Sequence, residues 1–258
     1  MGIKIDMSKA FDRVDWTFLM TIMKKIGFND HWCNKIFQCI STSTSVVLIN
    51  RSPDKFFKPS RGLRKGDPLS PHLFLFCMET LSRTLIHAEE LGLITGIKIC
   101  KSAPSISHLL FVDDCMVFCK ANMTEAQNIM DILKMFGDNS GQLINFNKSG
   151  VFFSNNTNPS LIPTISNIMG VQVLQLDDKY LGSPLFTQRR KITSFKPGVD
   201  KLKTRLSSWK NVPLNPVGRE VLIKSVTSSA CIYQMNLQRH QQTPKGLLLG
   251  KKHGKPNL

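Results

Sequence analysis

The chain has 258 residues and carries 34 Lys+Arg against 18 Asp+Glu, a formal net charge of +16. With 41% apolar and 20% charged residues it can bury a sizeable core, which excludes wholesale disorder. No apolar run approaches the roughly 18–20 residues that cross a bilayer, and no signal segment follows Met1, so neither a secreted nor an integral membrane protein is expected.

Residues 3–6 (IKID) alternate like the end of a strand. Val14, Phe18, Ile22 and Ile26 recur every four residues, with Leu19 and Met23 beside them, and predict a helix with Lys24 and Lys25 in its last turn and Gly27 at its stop. A second helix is expected over 31–40. Residues 45–50 and 56–61 read as two strands joined by a turn at Pro53-Asp54. Ser70 as cap and Pro71 as first helical residue start a helix that runs to about Leu91 and stops at Gly92. Residues 109–112 and 115–118 are short apolar runs, and Asp113-Asp114 between them predicts a tight hairpin.

The stretch TEAQ at 124–127 has the form of a capping box, opening a helix with Ile129, Ile132, Leu133 and Phe136 on one face. A short strand is expected at 151–154, an Asn/Pro/Ser-rich loop at 155–163, and helices at 195–208 and roughly 216–230. Residues 238–258 lose all periodicity and read as a disordered basic tail. Hairpins mixed with helices fit an α+β class better than a regular βαβ series.

The seven cysteines (33, 39, 77, 100, 115, 119 and 231) include no CxxC pair, so they read as reduced thiols, mostly in the core, of an intracellular protein. The charge is uneven. Residues 1–150 hold 18 Lys+Arg against 14 Asp+Glu, a net of +4, and residues 151–258 hold 16 against 4, a net of +12. A basic half joined to a near-balanced half suggests a polyanion partner, most often nucleic acid.

Three carboxylates lie at strand ends or turns: Asp6, Asp113 and Asp114. Each alone reads equally well as an ordinary turn or strand-end residue. Together, on one sheet edge, they would repel one another unless cations neutralised them. Hard divalent ions take such oxygen ligands and complete their shells with water and phosphate. A pair of them about 3.5–4 Å apart serves phosphoryl transfer.

Seven stretches, in order, carry a family likeness: IDMSKAFDRVDW (5–16), RGLRKGDPLSP (61–71), FVDD (111–114), GQLINFNKS (141–149), YLGSPL (180–185), LSSWK (206–210) and GREVLIKS (218–225). The ordered set resembles the palm and thumb motifs of plant-type LINE (non-LTR) retrotransposon reverse transcriptases. The resemblance implies a polymerase palm, an antiparallel sheet with packed helices, over residues 1–153. It implies the end of the palm, the primer grip and a helical thumb over 154–237. The chain begins at the first palm motif, so the fingers are expected to be absent from it.

The resemblance also implies roles. Asp6, Asp113 and Asp114 would be the catalytic, metal-binding residues for two Mg²⁺ (or Mn²⁺) ions. Phe11 would be the steric gate against a ribose 2′-hydroxyl. Gly66, Asp67 and Pro68 would lie along template and incoming nucleotide, and Lys148 would act on the triphosphate. Tyr180, Leu181 and Gly182 would form the primer grip, and Trp209 reads as thumb core. The implied partners are an RNA template, a DNA primer and dNTPs, with no membrane. The implied setting is intracellular and compatible with the nucleus, though no targeting signal is readable.

Lys65 stands where the family usually has Gln, and Val112 where it usually has Ala. Two functional readings follow: an RNA-directed DNA polymerase fragment, or a catalytically silent nucleic-acid-binding remnant.

Overall fold

The computed structural model describes residues 1–175, 178–181, 183–184, 200, 203–204, 207, 215–222 and 224. The chain forms two units, 1–175 and 176–258. The expected tail at 238–258, Trp209 and most of the expected thumb helices lie outside the described residues.

The first unit is built on a five-stranded sheet of order β4-β5-β1-β6-β7. Its strands are β1 (Gly2–Asp6), β4 (His108–Phe111), β5 (Asp114–Phe118), β6 (Gly150–Phe152) and β7 (Gln172–Val173). The central strand β1 runs antiparallel to both neighbours, with Ile3 opposite Val117 and Ile5 opposite Cys115. Side chains alternate across a strand, so these four residues share one face, where each is at most 1% exposed. Lys4, Asp6 and Asp114 fall on the other face and are half-buried.

The helices are α1 (Ala10–Arg13), α2 (Trp16–Ile26), α3 (Asp30–Ser41), α4 (Ser70–Glu90), α5 (Met123–Ser140) and α6 (Leu161–Met169). Leu19 and Met23 of α2, Phe74 and Leu81 of α4, and Ile129 and Leu133 of α5 join the buried face of the sheet in one core. Burying each such side chain contributes about 1.5–3 kcal/mol before chain entropy is charged against it. The unit extends past Phe153, because α6 packs on α5 and β7 pairs parallel with β6. Within the second unit, β8 (Lys179–Tyr180) and β9 (Ser183–Pro184) form a hairpin, and α7 spans Pro216–Leu222. Among the described residues, no helix is long and apolar enough to cross a membrane.

Several expectations shift in detail. The hairpin of β2 (Ser45–Ile49) and β3 (Ser52–Phe57) turns at Asn50-Arg51, both at positive φ, and Pro53-Asp54 lies inside β3. Ile26 is half exposed, since the buried stripe of α2 runs through Trp16, Leu19 and Met23. Helix α6 occupies the end of the expected loop. Leu161, Ile165 and Met169 give it an i, i+4 stripe, and Pro163 is tolerated in its first turn.

The cap of α5 is Asn122, not Thr124. Its side chain accepts the Glu125 N–H at 2.7 Å. The buried Glu125 carboxylate in turn accepts N–H groups from Thr95 at 2.8 Å and Lys120 at 3.0 Å, and the Thr95 hydroxyl at 3.1 Å. Glu125→Ala strands these donors and is expected to cost about 2–4 kcal/mol in urea unfolding. A loss under about 1 kcal/mol would show that water replaces the carboxylate.

The buried cysteines behave as core residues. Burial pushes the thiols of Cys77, Cys115 and Cys119 up to about 12, so they stay protonated. Cys39 and Cys100 are exposed, and none of the described cysteines is in a disulfide.

Candidate active site

The register of the central ladder places Asp6 directly opposite Asp114. The backbone of Asp6 is engaged on its other side. Its N–H donates to the Ser149 hydroxyl at 3.0 Å, and its carbonyl accepts the Asn145 N–H at 2.8 Å. In an antiparallel ladder both backbone groups of a residue point the same way, so Asp6 and Asp114 form a non-hydrogen-bonded pair. Such pairs bring Cα atoms to about 4.5 Å and side chains closer than in the alternate pairs. Two carboxylates are thus held side by side at the open end of the sheet.

Burial, then the charge of Asp113, and after them Asp6, raise the Asp114 carboxyl above its ordinary range. Lys4, two residues before Asp6 on the same face, pulls it back. Electrostatically, the site is short of positive charge.

The hairpin carrying Asp113 is one residue out from expectation. Phe111 pairs with Asp114, so the two turn residues are Val112 and Asp113, and Asp114 opens β5. Val112 sits at φ 54°, a left-handed conformation that a β-branched residue adopts only under constraint. Val112→Gly is expected to stabilise the chain by about 0.5–1 kcal/mol by removing that strain, read as a higher unfolding midpoint. A lower midpoint would mean that the Val112 side chain contributes packing that outweighs it.

The donor chemistry suits a hard divalent cation: carboxylate oxygens that repel one another. Asp6 and Asp114 are fixed by the ladder, and Asp113 lies on the exposed turn. Among the described residues, no group of three or more His, Cys, Asp or Glu side chains is already gathered closely enough to hold an ion. An ion would have to draw the Asp113 carboxylate inward.

The segment after β1 is locked to two distant stretches. Leu63 N–H donates to the Phe11 carbonyl at 2.7 Å, and Gly62 N–H to the Val14 carbonyl at 2.8 Å. Trp16 Nε1 donates to the Gly62 carbonyl at 2.7 Å. The Gln142 side chain donates to the Ala10 carbonyl at 2.9 Å. Phe11 stacks on the fully buried Phe74, with ring centroids 4.8 Å apart. It is half-buried, so one side of the ring is anchored in the core.

Gly66 takes φ 86° in the loop before α4. There Leu69, rather than Ser70, is the N-cap, with no side chain capping the helix: Asp67 Oδ1 accepts the Leu69 N–H at 2.8 Å in the turn before it, and Ser70 is the first, buried helical residue. Pro68 is exposed. Asp67 also lines an open cavity of about 460 Å³. Lys148 is exposed, on the loop whose Asn145 and Ser149 hold Asp6. Tyr180 and Leu181 sit at the β8–β9 turn in the second unit, with Leu181 at φ 49°; Gly182 lies outside the described residues.

Ser149 and Asn145 are the site residues that composition and spacing did not single out. The only local signal is a serine beside a short apolar strand, and its partner is 143 positions away.

Residues 1–185 match the protein family described as reverse transcriptase (RNA-dependent DNA polymerase). The chain is 51% identical over 69 residues to an uncharacterized mitochondrial protein of Arabidopsis thaliana, covering 27% of this chain and 57% of that protein. It is 22% identical over 236 residues to the Transposon TX1 149 kDa protein of Xenopus laevis, covering 90% and 17%. It is 28% identical over 116 residues to a retrovirus-related Pol polyprotein of type-1 retrotransposable element R2 from Nasonia vitripennis, covering 45% and 10%. The chain therefore spans between a tenth and just over half the length of these relatives. Among solved structures, telomerase from Candida tropicalis in complex with a fragment of telomeric RNA aligns with a TM-score of 0.52 at 15% identity, over 94% of this chain and 40% of that one. At that identity the likeness is one of fold.

Proposed function

Because the chain belongs to the reverse transcriptase family, we propose that it carries the palm of a non-LTR retrotransposon polymerase, which adds deoxynucleotides to a DNA primer on an RNA template. The observation that supports this most is the in-register, non-hydrogen-bonded pairing of Asp6 with Asp114 beside Asp113. When bound, two Mg²⁺ or Mn²⁺ ions would neutralise phosphate charge and favour the ionised primer hydroxyl.

The chain's own residues do the positioning. Asp6, Asp113 and Asp114 supply the acceptor oxygens. Ser149 and Asn145 fix the Asp6 backbone, so that its Cα–Cβ bond stays opposite Asp114. Lys148, on the same loop, offers a cation to a triphosphate. Phe11, backed by Phe74, presents a ring held from behind, which suits a gate against the 2′-hydroxyl. Gly66, Asp67 and Pro68 border the template and incoming nucleotide, and Tyr180, Leu181 and Gly182 grip the primer. The net of +12 beyond residue 150 serves the phosphates of the duplex. Catalysis of this kind rests on placement and charge compensation rather than on a covalent intermediate.

The test is extension of a labelled DNA primer on an RNA template by the full chain, with Mg²⁺ and with Mn²⁺, supplied with dNTPs or rNTPs. Incorporation of dNTPs in preference to rNTPs is expected. Salt-sensitive RNA binding without incorporation under either ion would replace this reading with that of a silent nucleic-acid-binding remnant.

A further inference from the structure

The cavity of about 460 Å³ beside residues 61–70 is separate from the carboxylate pair and falls within the size range of ligand pockets. Three cations line it, Arg61, Arg64 and Lys65, with the carboxylates of Asp12 and Asp67. Its wall is rigid at the backbone, because Gly62 and Leu63 are bonded to Val14 and Phe11. Asp67 is already committed to the turn before α4. Asp12 is paired with Lys65, its Oδ2 lying 3.6 Å from Nζ. Among the described residues, neither Arg61 nor Arg64 has an ion-pair partner.

A cavity wall with two unengaged guanidinium groups and a third cation satisfied by one aspartate is short of negative charge. The Asp12–Lys65 pair is weak, since the two side chains are 50% and 69% exposed and sit at the long end of ion-pair distance. A phosphate oxygen offers Lys65 a stronger, charge-assisted contact than that pair provides. The guanidinium groups alongside add the forked donors that suit phosphate.

We infer that this cavity is a phosphate-binding site in which Lys65 exchanges Asp12 for a phosphate group of the ligand, so that Asp12 acts as a built-in competitor that sets affinity. This deepens the polymerase reading and rests on it for the identity of the ligand, a nucleic-acid strand or a free nucleotide. It assigns a role to the lysine at position 65. A neutral glutamine there could bond Asp12 or a phosphate, but it could not link the two by charge.

Binding of a fluorescent single-stranded RNA to the full chain, measured by anisotropy across a salt series, tests the exchange without requiring catalysis. Asp12→Asn is expected to tighten binding about 2–5-fold by freeing Lys65. Lys65→Gln is expected to weaken it about 3–10-fold and to lower the slope of log K against log salt by about 0.7. The decisive arm is the double variant: in the Lys65→Gln background, Asp12→Asn should change nothing beyond the loss of one negative charge at long range. Both residues are at least half exposed, so unchanged thermal melts are expected of all three variants.

Competition separates the ligand sources. Displacement by tripolyphosphate at concentrations that dNTPs also need assigns a nucleotide; resistance to both assigns the strand backbone. Asp12→Asn without effect, or with the same gain in the Lys65→Gln background, overturns the exchange. Lack of primer extension with this binding pattern intact overturns the polymerase reading and leaves the exchange standing.

Discussion

Asn in place of Asp114 is expected to cut primer extension at least about 10³-fold, equal to about 4 kcal/mol of transition-state stabilisation, while the fold becomes no less stable. The two halves of this expectation come from the same geometry. Asp114 lies opposite Asp6 with side chains on one face, and like charges directly opposite destabilise a ladder. The amide keeps the shape and removes the repulsion, and with it one of the oxygens that an ion needs.

The pH dependence has a definite sign. Burial and neighbouring carboxylates raise the Asp114 carboxyl in the folded state above its ordinary value of 3.8. The folded chain therefore holds this proton more tightly than the unfolded chain. The stability it contributes is full below pH 3.8 and is lost as pH rises through the raised value. Asp114→Asn should flatten that segment of the stability–pH curve. Metal binding runs the other way, since protons compete with the ion and loading should weaken as pH falls through the same window. Unfolding of both proteins by urea at a series of pH values checks the first statement. A variant less stable than the parent at neutral pH would contradict it.

Gly62→Ala is expected to destabilise the chain by about 2–4 kcal/mol. Gly62 sits at φ 90°, and a Cβ added there would lie 2.6 Å from the Asp12 carbonyl oxygen, a backbone atom that cannot step aside. The same residue donates to Val14 and accepts from Trp16, so relief of the clash would pull apart the wall of the cationic cavity. Gly66 supplies the matched control. Its φ is 86°, but a Cβ there meets nothing within 4 Å, so Gly66→Ala should cost only the conformational share, about 1 kcal/mol. Equal losses at the two positions in urea unfolding would mean that the close approach at Gly62 contributes nothing.

What the sequence made legible follows from which signals are local. Strand β1 is legible because the alternation at 3–6 is a two-residue period, which carries Asp6 onto the half-buried face at the strand's end. Helix α4 was readable within a residue at its stop, because Gly92 at φ 72° is a left-handed terminator. The hairpin turns one residue earlier than Asp113-Asp114 suggests. Asp-Asp favours a turn and Val a strand, but pairing of Phe111 with Asp114 requires Val112 in the turn, so tertiary register overrode propensity. Thr124 looked like a cap in isolation; Asn122 caps because Glu125 is held by Thr95, thirty residues upstream.

The same rule divides the site. The three aspartates could be singled out by residue type and position at strand ends. The pairing of two of them across a ladder, the Ser149 bond to Asp6 and the Asp12–Lys65 contact are long-range facts, set by packing rather than by spacing.

The most direct measurement of the central claim is a Mn²⁺ titration of the full chain followed by electron paramagnetic resonance, run on the parent, Asp6→Asn and Asp114→Asn. The account predicts Mn²⁺ bound by the parent and affinity at least about tenfold weaker in each variant, because each removes an oxygen donor from the same pair. Equal affinity in all three proteins would contradict it.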